Sequence, residues 1–177
     1  ISVGEIESGS AAGAIQILEA AGLKNKEDYD LVNERFTKAT ELLLDGYIDA
    51  VYYVGGVPAD GLVRLSEKIP IKLLEIPETV INKLTIAFPY YSKESIDTNS
   101  YLGHKKSIKT LGFKALLVGT TRLPSEEVIN ILTVIYSNPK ILSDDNKVLV
   151  ELNKSEAIKG VDAEMLHDGA AAFFMSQ

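Results

Sequence analysis

The chain has 177 residues, 46% hydrophobic and 24% charged, with a formal net charge of -7; this is ordinary globular composition, long enough to bury a core in one domain or two small lobes. The acidic balance excludes nonspecific binding to nucleic acid or anionic lipid, which needs a basic field. Cysteine is absent, excluding disulfides, thiolate metal sites and thiol nucleophiles, and no apolar run is long enough to span a bilayer.

Residues 1–4 read as a short strand, 5–10 as a tight loop and 11–21 as a helix starting on that loop. Ala14, Ile17, Leu18 and Ala21 share one helical face, and Gly22 is a fitting stop. A short strand over 29–32 follows, then a helix capped by Thr37 with Ala39, Leu42 and Leu43 inward and Gly46 at its end. Residues 48–54 form a Tyr-bearing run of buried-strand length, 59–67 a helix and 71–74 another strand. Strands alternating with helices at this spacing predict a mainly parallel sheet covered on both faces. Ligands of such sheets sit beyond the carboxyl ends of the strands.

Further along, 77–84 reads as a short helix and the stretch from Phe88-Pro89-Tyr90-Tyr91 to Gly103 as an irregular crossover. Residues 111–118 read as a strand. Ser125-Glu126-Glu127 opens a strong helix, with Ser125 as cap and Val128, Ile131, Leu132 and Ile135 on one face. Pro139 punctuates it, 142–157 is a weaker amphipathic stretch, and 163–174 is a terminal helix. The expected organisation is a complete α/β lobe over 1–84, a crossover or hinge over 85–110, and the C-terminal part of a second lobe over 111–177.

Two Gly-bearing loops stand at strand-to-helix junctions. Ser8-Gly9-Ser10 opens the first helix, where unpaired backbone N–H groups and the positive end of the helix dipole converge. Gly55-Gly56-Val57-Pro58 follows the 48–54 strand in the same way. The bland alternative is that Gly9 permits a turn while Ser10 caps the helix, and that Gly and Pro punctuate the second junction as they do most. Gly4-x4-Gly9-Ser10 echoes a nucleotide-binding P-loop but lacks its Lys and following hydroxyl, so nucleotide hydrolysis is not expected. Tyr52, Tyr53, Tyr90 and Tyr91 offer pocket walls, although alternation sends Tyr52 and Tyr53 to opposite faces. His104 and His167 are isolated, without metal or nucleophile spacing, and are expected to pack or face solvent. Asn153-Lys154-Ser155 matches a glycosylation acceptor, a motif frequent by chance.

Several motifs in order resemble the TAXI subfamily of solute-binding proteins of tripartite ATP-independent periplasmic (TRAP) transporters. They are Val3-Gly4 with Ser8-Gly9-Ser10, Gln16-Ile17-Leu18-Glu19-Ala20, Gly22-Leu23, Leu44-Asp45-Gly46-x-Ile48-Asp49-Ala50 and Gly55-x-Val57-Pro58. Pro89-Tyr90-Tyr91, Tyr101-x-Gly103, Lys114-Ala115-Leu116-Leu117-Val118 and His167-x-Gly169-Ala170-Ala171 continue the series. The resemblance implies a periplasmic-binding-protein-like fold: two hinged lobes with mainly parallel sheets flanked by helices. It also implies a periplasmic location, no catalytic residues, no cofactor and no metal. Where the family has Pro and Gly before the first loop, this chain has Ile6 and Glu7. The chain opens on Ile1 without a Met or an apolar leader, and against the family pattern it reads as a clipped or truncated product with an incomplete second lobe.

The expected function is therefore capture of a small anionic or zwitterionic solute, an organic acid or amino acid, and its delivery to a membrane-embedded TRAP permease. The expected ligand-binding residues are Ser8, Gly9, Ser10, Gly55, Gly56, Val57, Pro58 and Tyr90. The alternative is an effector-sensing domain of a transcriptional regulator with the same fold. An enzyme is the third reading, with His104 as the one acid–base candidate.

Overall fold

The computed structural model describes residues 1–137 and 153–175. The chain divides into two compact units, Ile1–Phe113 and Lys114–Gln177. The 85–110 stretch lies within the first unit.

The first unit is built on three short parallel segments. Ser2 bridges Val32 on one side and Val51 on the other, giving the spatial order second, first, third segment. The ladder comprises Ser2 N–H to Ala50 O (2.9 Å), Val3 N–H to Val32 O (3.1 Å), Val32 N–H to Ile1 O (2.9 Å) and Tyr52 N–H to Ser2 O (2.8 Å). Each segment is short because the chain leaves the sheet soon after its single bridge. At Gly4 it departs at a φ of 103°.

Helix α1 (Gly9–Ala20) follows the first segment, α2 (Phe36–Leu44) the second and α3 (Asp60–Lys68) the third. Ser8, not Ser10, caps α1: its backbone is extended and its Oγ accepts the Ala11 N–H at 3.1 Å. Gly22, at φ 83°, ends the helix as the sequence predicts, while the Leu23 N–H returns to Leu18 O at 2.9 Å. Thr37 does not cap α2; it lies inside the helix, and the cap position belongs to Arg35, which makes no side-chain capping bond. Alternation sends Val3 and Tyr52 to the α1 face, where they pack with Ala11 and Ala14.

Helix α4 (Glu78–Ala87) supplies the second core, with Val80 and Leu84 packed on Tyr91 and on Ile17 and Ala20 of α1. Strand β1 (Ser92–Ile96), within the stretch read as irregular, then pairs with β2 (Ile108–Gly112) beyond it in an antiparallel hairpin. Four of the five β1 residues are exposed, so the period-two signal that would announce a strand is missing. The predicted strands over 71–74 and 111–118 are corrected. Residues 71–74 alternate in burial but make no ladder, although Ile76 N–H reaches Lys109 O at 3.1 Å. Only Leu111 and Gly112 of the second prediction are strand; beyond them 113–118 is exposed, with no pairing segment among the described residues. Apolar composition made the run look like a buried strand, but a strand needs a neighbour for its backbone.

Glu78, at the start of α4, receives the Lys109 ammonium at 2.7 Å and also that of Lys93, tying the helix to both hairpin strands. The Lys109 hydrogen bond, then that of Lys93, lowers the Glu78 pKa from 4.5 to about 2. A depressed carboxylate contributes stability above its unfolded pKa and loses it as pH falls through the folded value. The difference in urea midpoint between wild type and Glu78→Gln is therefore expected to shrink between about pH 5 and pH 2, and to shrink with added salt because the pair is exposed. A pH-independent difference overturns this assignment.

In the second unit, α5 (Ser125–Ser137) packs against α6 (Asp168–Met175), which is preceded by a 3-10 turn over Ala163–Met165. The predicted continuous helix over 163–174 thus breaks at 166–167. The first α5 bond runs from Val128 N–H to the Pro124 carbonyl, which makes Ser125 the first helical residue rather than the cap. The inner face of α5 is rotated by one position from the predicted one. Val128, Ile129, Leu132, Ile135 and Tyr136 are half-buried, while Ile131 is exposed. Tyr136 sets the rotation: its ring lies 5.7 Å from both Phe173 and Phe174 of α6. His167 is structural. Its Nδ1 accepts the Gly169 N–H at 3.1 Å, leaving Nε2 to donate to Leu123 O at 3.0 Å. Asn153 Oδ1 accepts from Ser155 N–H and Oγ, closing a local turn. Pro139 and residues 142–152 of the predicted amphipathic stretch lie outside the described residues; 154–157 is turn.

Candidate functional site

The segment order of the first unit reverses direction between the first and third segments, which opens a crevice at their carboxyl ends. A cleft of about 400 Å³ lies there. Its floor is Ser2 and Val51, one wall comes from Gly4, Glu5, Ser8 and Ser10, and the other comes from Glu34, Arg35, Phe36 and Tyr53. The Phe36 and Tyr53 rings pack at 4.4 Å, giving that wall an apolar surface. Asn33 Nδ2 donates to Gly4 O at 3.0 Å and Arg35 Nε to Glu5 Oε1 at 2.8 Å, so two bonds join the first and second strand-end loops. The Glu5 bond raises the Arg35 pKa above its ordinary value.

One atom in this site is out of place for a purely structural wall. Ser2 is fully buried, and its Oγ has no hydrogen-bond partner among the described residues. A buried hydroxyl without a partner costs about 1–3 kcal/mol, so a structure that keeps one has a use for it or supplies a partner on occasion. Beside it, the first turn of α1 presents the N–H groups of Gly9 and Ser10; those of Ala11 and Ala12 are already taken by Ser8 Oγ and Ser8 O. A hydroxyl, two amides without a partner among the described residues and the positive end of a helix dipole thus border the cleft, with an aromatic pair opposite.

The predicted site residues separate into two groups. Ser8 and Ser10 line the cleft and Gly9 starts the helix above it. Gly55, Gly56, Val57 and Pro58 follow Val54 at the cleft edge and are not among its walls: Gly55 lies against the Tyr53 ring, Val57 is 41% exposed, and the Val57–Pro58 peptide is cis. Tyr90 is elsewhere, bonded to Gln16 Nε2 of α1 at 3.2 Å, beside a 2.7 Å bond from Tyr91 to Gln16 Oε1. The two predicted loops therefore do not share one hollow. Tyr52 packs against the α1 core and also lines the cleft, and burial pushes its pKa to about 12. His104 lies in the β1–β2 connection, outside the cleft walls, with both ring nitrogens buried and unpartnered among the described residues.

The site contains residues that the sequence reading passed over: Ser2, Glu5, Glu34, Arg35 and Phe36. A signal existed for three of them. Glu34-Arg35-Phe36 stands where the second parallel segment gives way to α2, the same kind of junction as the two loops that were singled out.

A family model for the NMT1-like family matches residues 1–177. The chain belongs to the NMT1-like family. This is a periplasmic-binding-protein-like family, which gives the chain a solute-binding function and a small solute as its partner. The mixed α/β architecture, with six helices and a two-stranded sheet among the described residues, is that of a partial periplasmic-binding-protein-like fold. The cleft at the strand ends is where such an NMT1-like chain has room for a solute.

Proposed function

We propose that this NMT1-like chain is the solute receptor of a TRAP-type transporter of the TAXI subfamily, working in the periplasm. It holds a small organic acid or amino acid and passes it unchanged to a membrane-embedded permease. The observation that carries the reading is the cleft itself, with the buried Ser2 hydroxyl, unpartnered among the described residues, at its floor and the first turn of α1 beside it. The serial motifs from Val3-Gly4 to His167-x-Gly169-Ala170-Ala171 support the subfamily.

Two measurements on the full chain test this. Calorimetry and thermal shift with succinate, L-glutamate and L-glutamine are expected to show binding and stabilisation by at least one of them. Absence of heat and of any shift across the panel sinks the proposal. The second measurement is Ser2→Ala. It is expected to raise the stability of the free protein by up to about 1 kcal/mol, because an unsatisfied hydroxyl is removed, while weakening the bound probe by roughly threefold or more. Changes of the same sign in stability and affinity assign Ser2 to packing alone.

A further inference from the structure

We propose that Arg35 is the carboxylate-reading residue of the cleft and that Glu5 holds its guanidinium as an intramolecular stand-in until a solute carboxylate displaces it. This rests on the solute-binding reading above and adds the residue that sets its preference.

Charge in the cleft walls is sparse. Glu5, Glu34 and Arg35 are the ionised side chains among the described lining residues, so Arg35 is the one cation there. A carboxylate entering the cleft meets two like charges and has one favourable ionic partner. That partner is already engaged. Arg35 Nε donates to Glu5 Oε1 at 2.8 Å, and this bond uses Nε alone, leaving both terminal amino groups of the fork uncommitted among the described residues. Guanidinium binds carboxylate best through two parallel bonds, which this contact does not make.

The placement of the pair distinguishes it from the local surface ion pairs of the chain; the Glu78 pairs with Lys93 and Lys109 also join distant residues, but none of those residues lines the cleft. Lys24–Glu27, Lys26–Asp30, Lys38–Glu41 and Lys159–Glu156 join residues three or four apart. Glu5 and Arg35 are 30 residues apart and come from two different strand-end loops, one on each wall of the cleft. Their side chains are 56% and 80% exposed. An exposed pair of this kind contributes little to stability, so exchanging its acid costs little. The released Glu5 carboxylate stays in solvent. The stand-in keeps Arg35 oriented toward the cleft and makes every carboxylate solute compete for it, which lowers apparent affinity by the fraction of molecules in which the pair is closed.

The test is a calorimetric titration of the full chain with succinate, L-glutamate and inorganic phosphate, on wild type, Glu5→Gln, Arg35→Gln, Arg35→Lys and the Glu5→Gln/Arg35→Gln double variant. Both side chains are largely exposed, so the variants are expected to fold. Glu5→Gln is expected to tighten the carboxylate probes roughly two- to fivefold by removing the competitor. Arg35→Gln is expected to weaken them by about tenfold or more, and Arg35→Lys to recover only part, because the ammonium lacks the fork. In the Arg35→Gln background Glu5→Gln then has no effect. If a probe binds wild type but Glu5→Gln leaves its affinity unchanged, or Arg35→Gln binds as wild type does, the stand-in is overturned while solute binding survives. Phosphate binding that ignores both substitutions counts against Arg35 as the anion anchor. If no probe binds any of these proteins, the solute reading falls and the stand-in falls with it.

Discussion

Gly169→Ala is expected to lower the stability of the α5–α6 unit by about 1–3 kcal/mol, although alanine is the better helix former. Gly169 is the second residue of α6, and a Cβ there meets Ser125 O at 2.5 Å, Val128 Cβ at 2.9 Å and Ser125 Cα at 3.0 Å. Two of those atoms are backbone and cannot rotate away. The propensity gain from Gly to Ala is at most about 1 kcal/mol and is smaller in a first turn, so the contact decides the sign. To fit the methyl, α6 has to move off α5. That movement loosens the Tyr136, Phe173 and Phe174 rings and lengthens the His167 Nε2 bond to Leu123 O. Gly119→Ala is the control within the same unit, because its nearest neighbour is Leu123 Cδ2 at 3.6 Å, an ordinary contact. Hydrogen exchange on the full chain is expected to lose protection across α6 in Gly169→Ala and to keep it in Gly119→Ala. Equal behaviour of the two variants refutes the close-packing account.

The helices were legible because their signals are local. Ala14, Ile17 and Leu18 repeat at helical spacing in α1, although Ala21 of the expected face is the exposed C-cap; Gly22 supplies the left-handed stop, and two acids open α5. Errors came where a neighbour decides the outcome. The α5 face is set by aromatic rings on α6, more than thirty residues away, so Ile131 and Tyr136 exchanged roles without any change in the local pattern. Strand β1 of the hairpin is polar and carries no alternation, and 113–118 has the composition of a strand without a partner among the described residues. The same rule divides the site. Ser8 and Ser10 were readable because a helix start advertises its caps, even though the cap is Ser8. Arg35 and Glu5 were not, since no period or motif marks two loop residues that meet only when the second parallel segment lies beside the first. Gly55-Gly56-Val57-Pro58 carries the same turn chemistry as a ligand cradle, and only its position at the cleft edge separates the two uses.

A substitution at Gly4 is expected to affect fold and cleft together. Gly4 has a φ of 103°, which costs an L-residue about 1–2 kcal/mol or more, and an added Cβ lies 3.0 Å from Ser10 Cβ and 3.1 Å from Ser8 Oγ. The reduced entropy of the unfolded chain returns about 0.4–1 kcal/mol, so Gly4→Ala is expected to be destabilising by about 1–2 kcal/mol net. The Ser8 cap and the α1 amides sit directly above the first segment because Gly4 turns the chain back sharply; pushing Ser8 and Ser10 outward misaligns those donors with the Ser2 floor. Affinity for any bound probe is therefore expected to fall about tenfold, measured well below the melting temperature so that unfolding does not contribute. Glu7 separates backbone strain from site geometry. It also has a positive φ, 63°, but it is exposed and absent from the cleft walls. Glu7→Gly is expected to relieve strain and raise stability by up to about 1 kcal/mol while leaving affinity unchanged. Both variants moving stability, with only Gly4→Ala moving affinity, is the pattern that places the ligand under the first turn of α1. If Gly4→Ala binds as wild type does, the cleft at the strand ends is not where the solute sits.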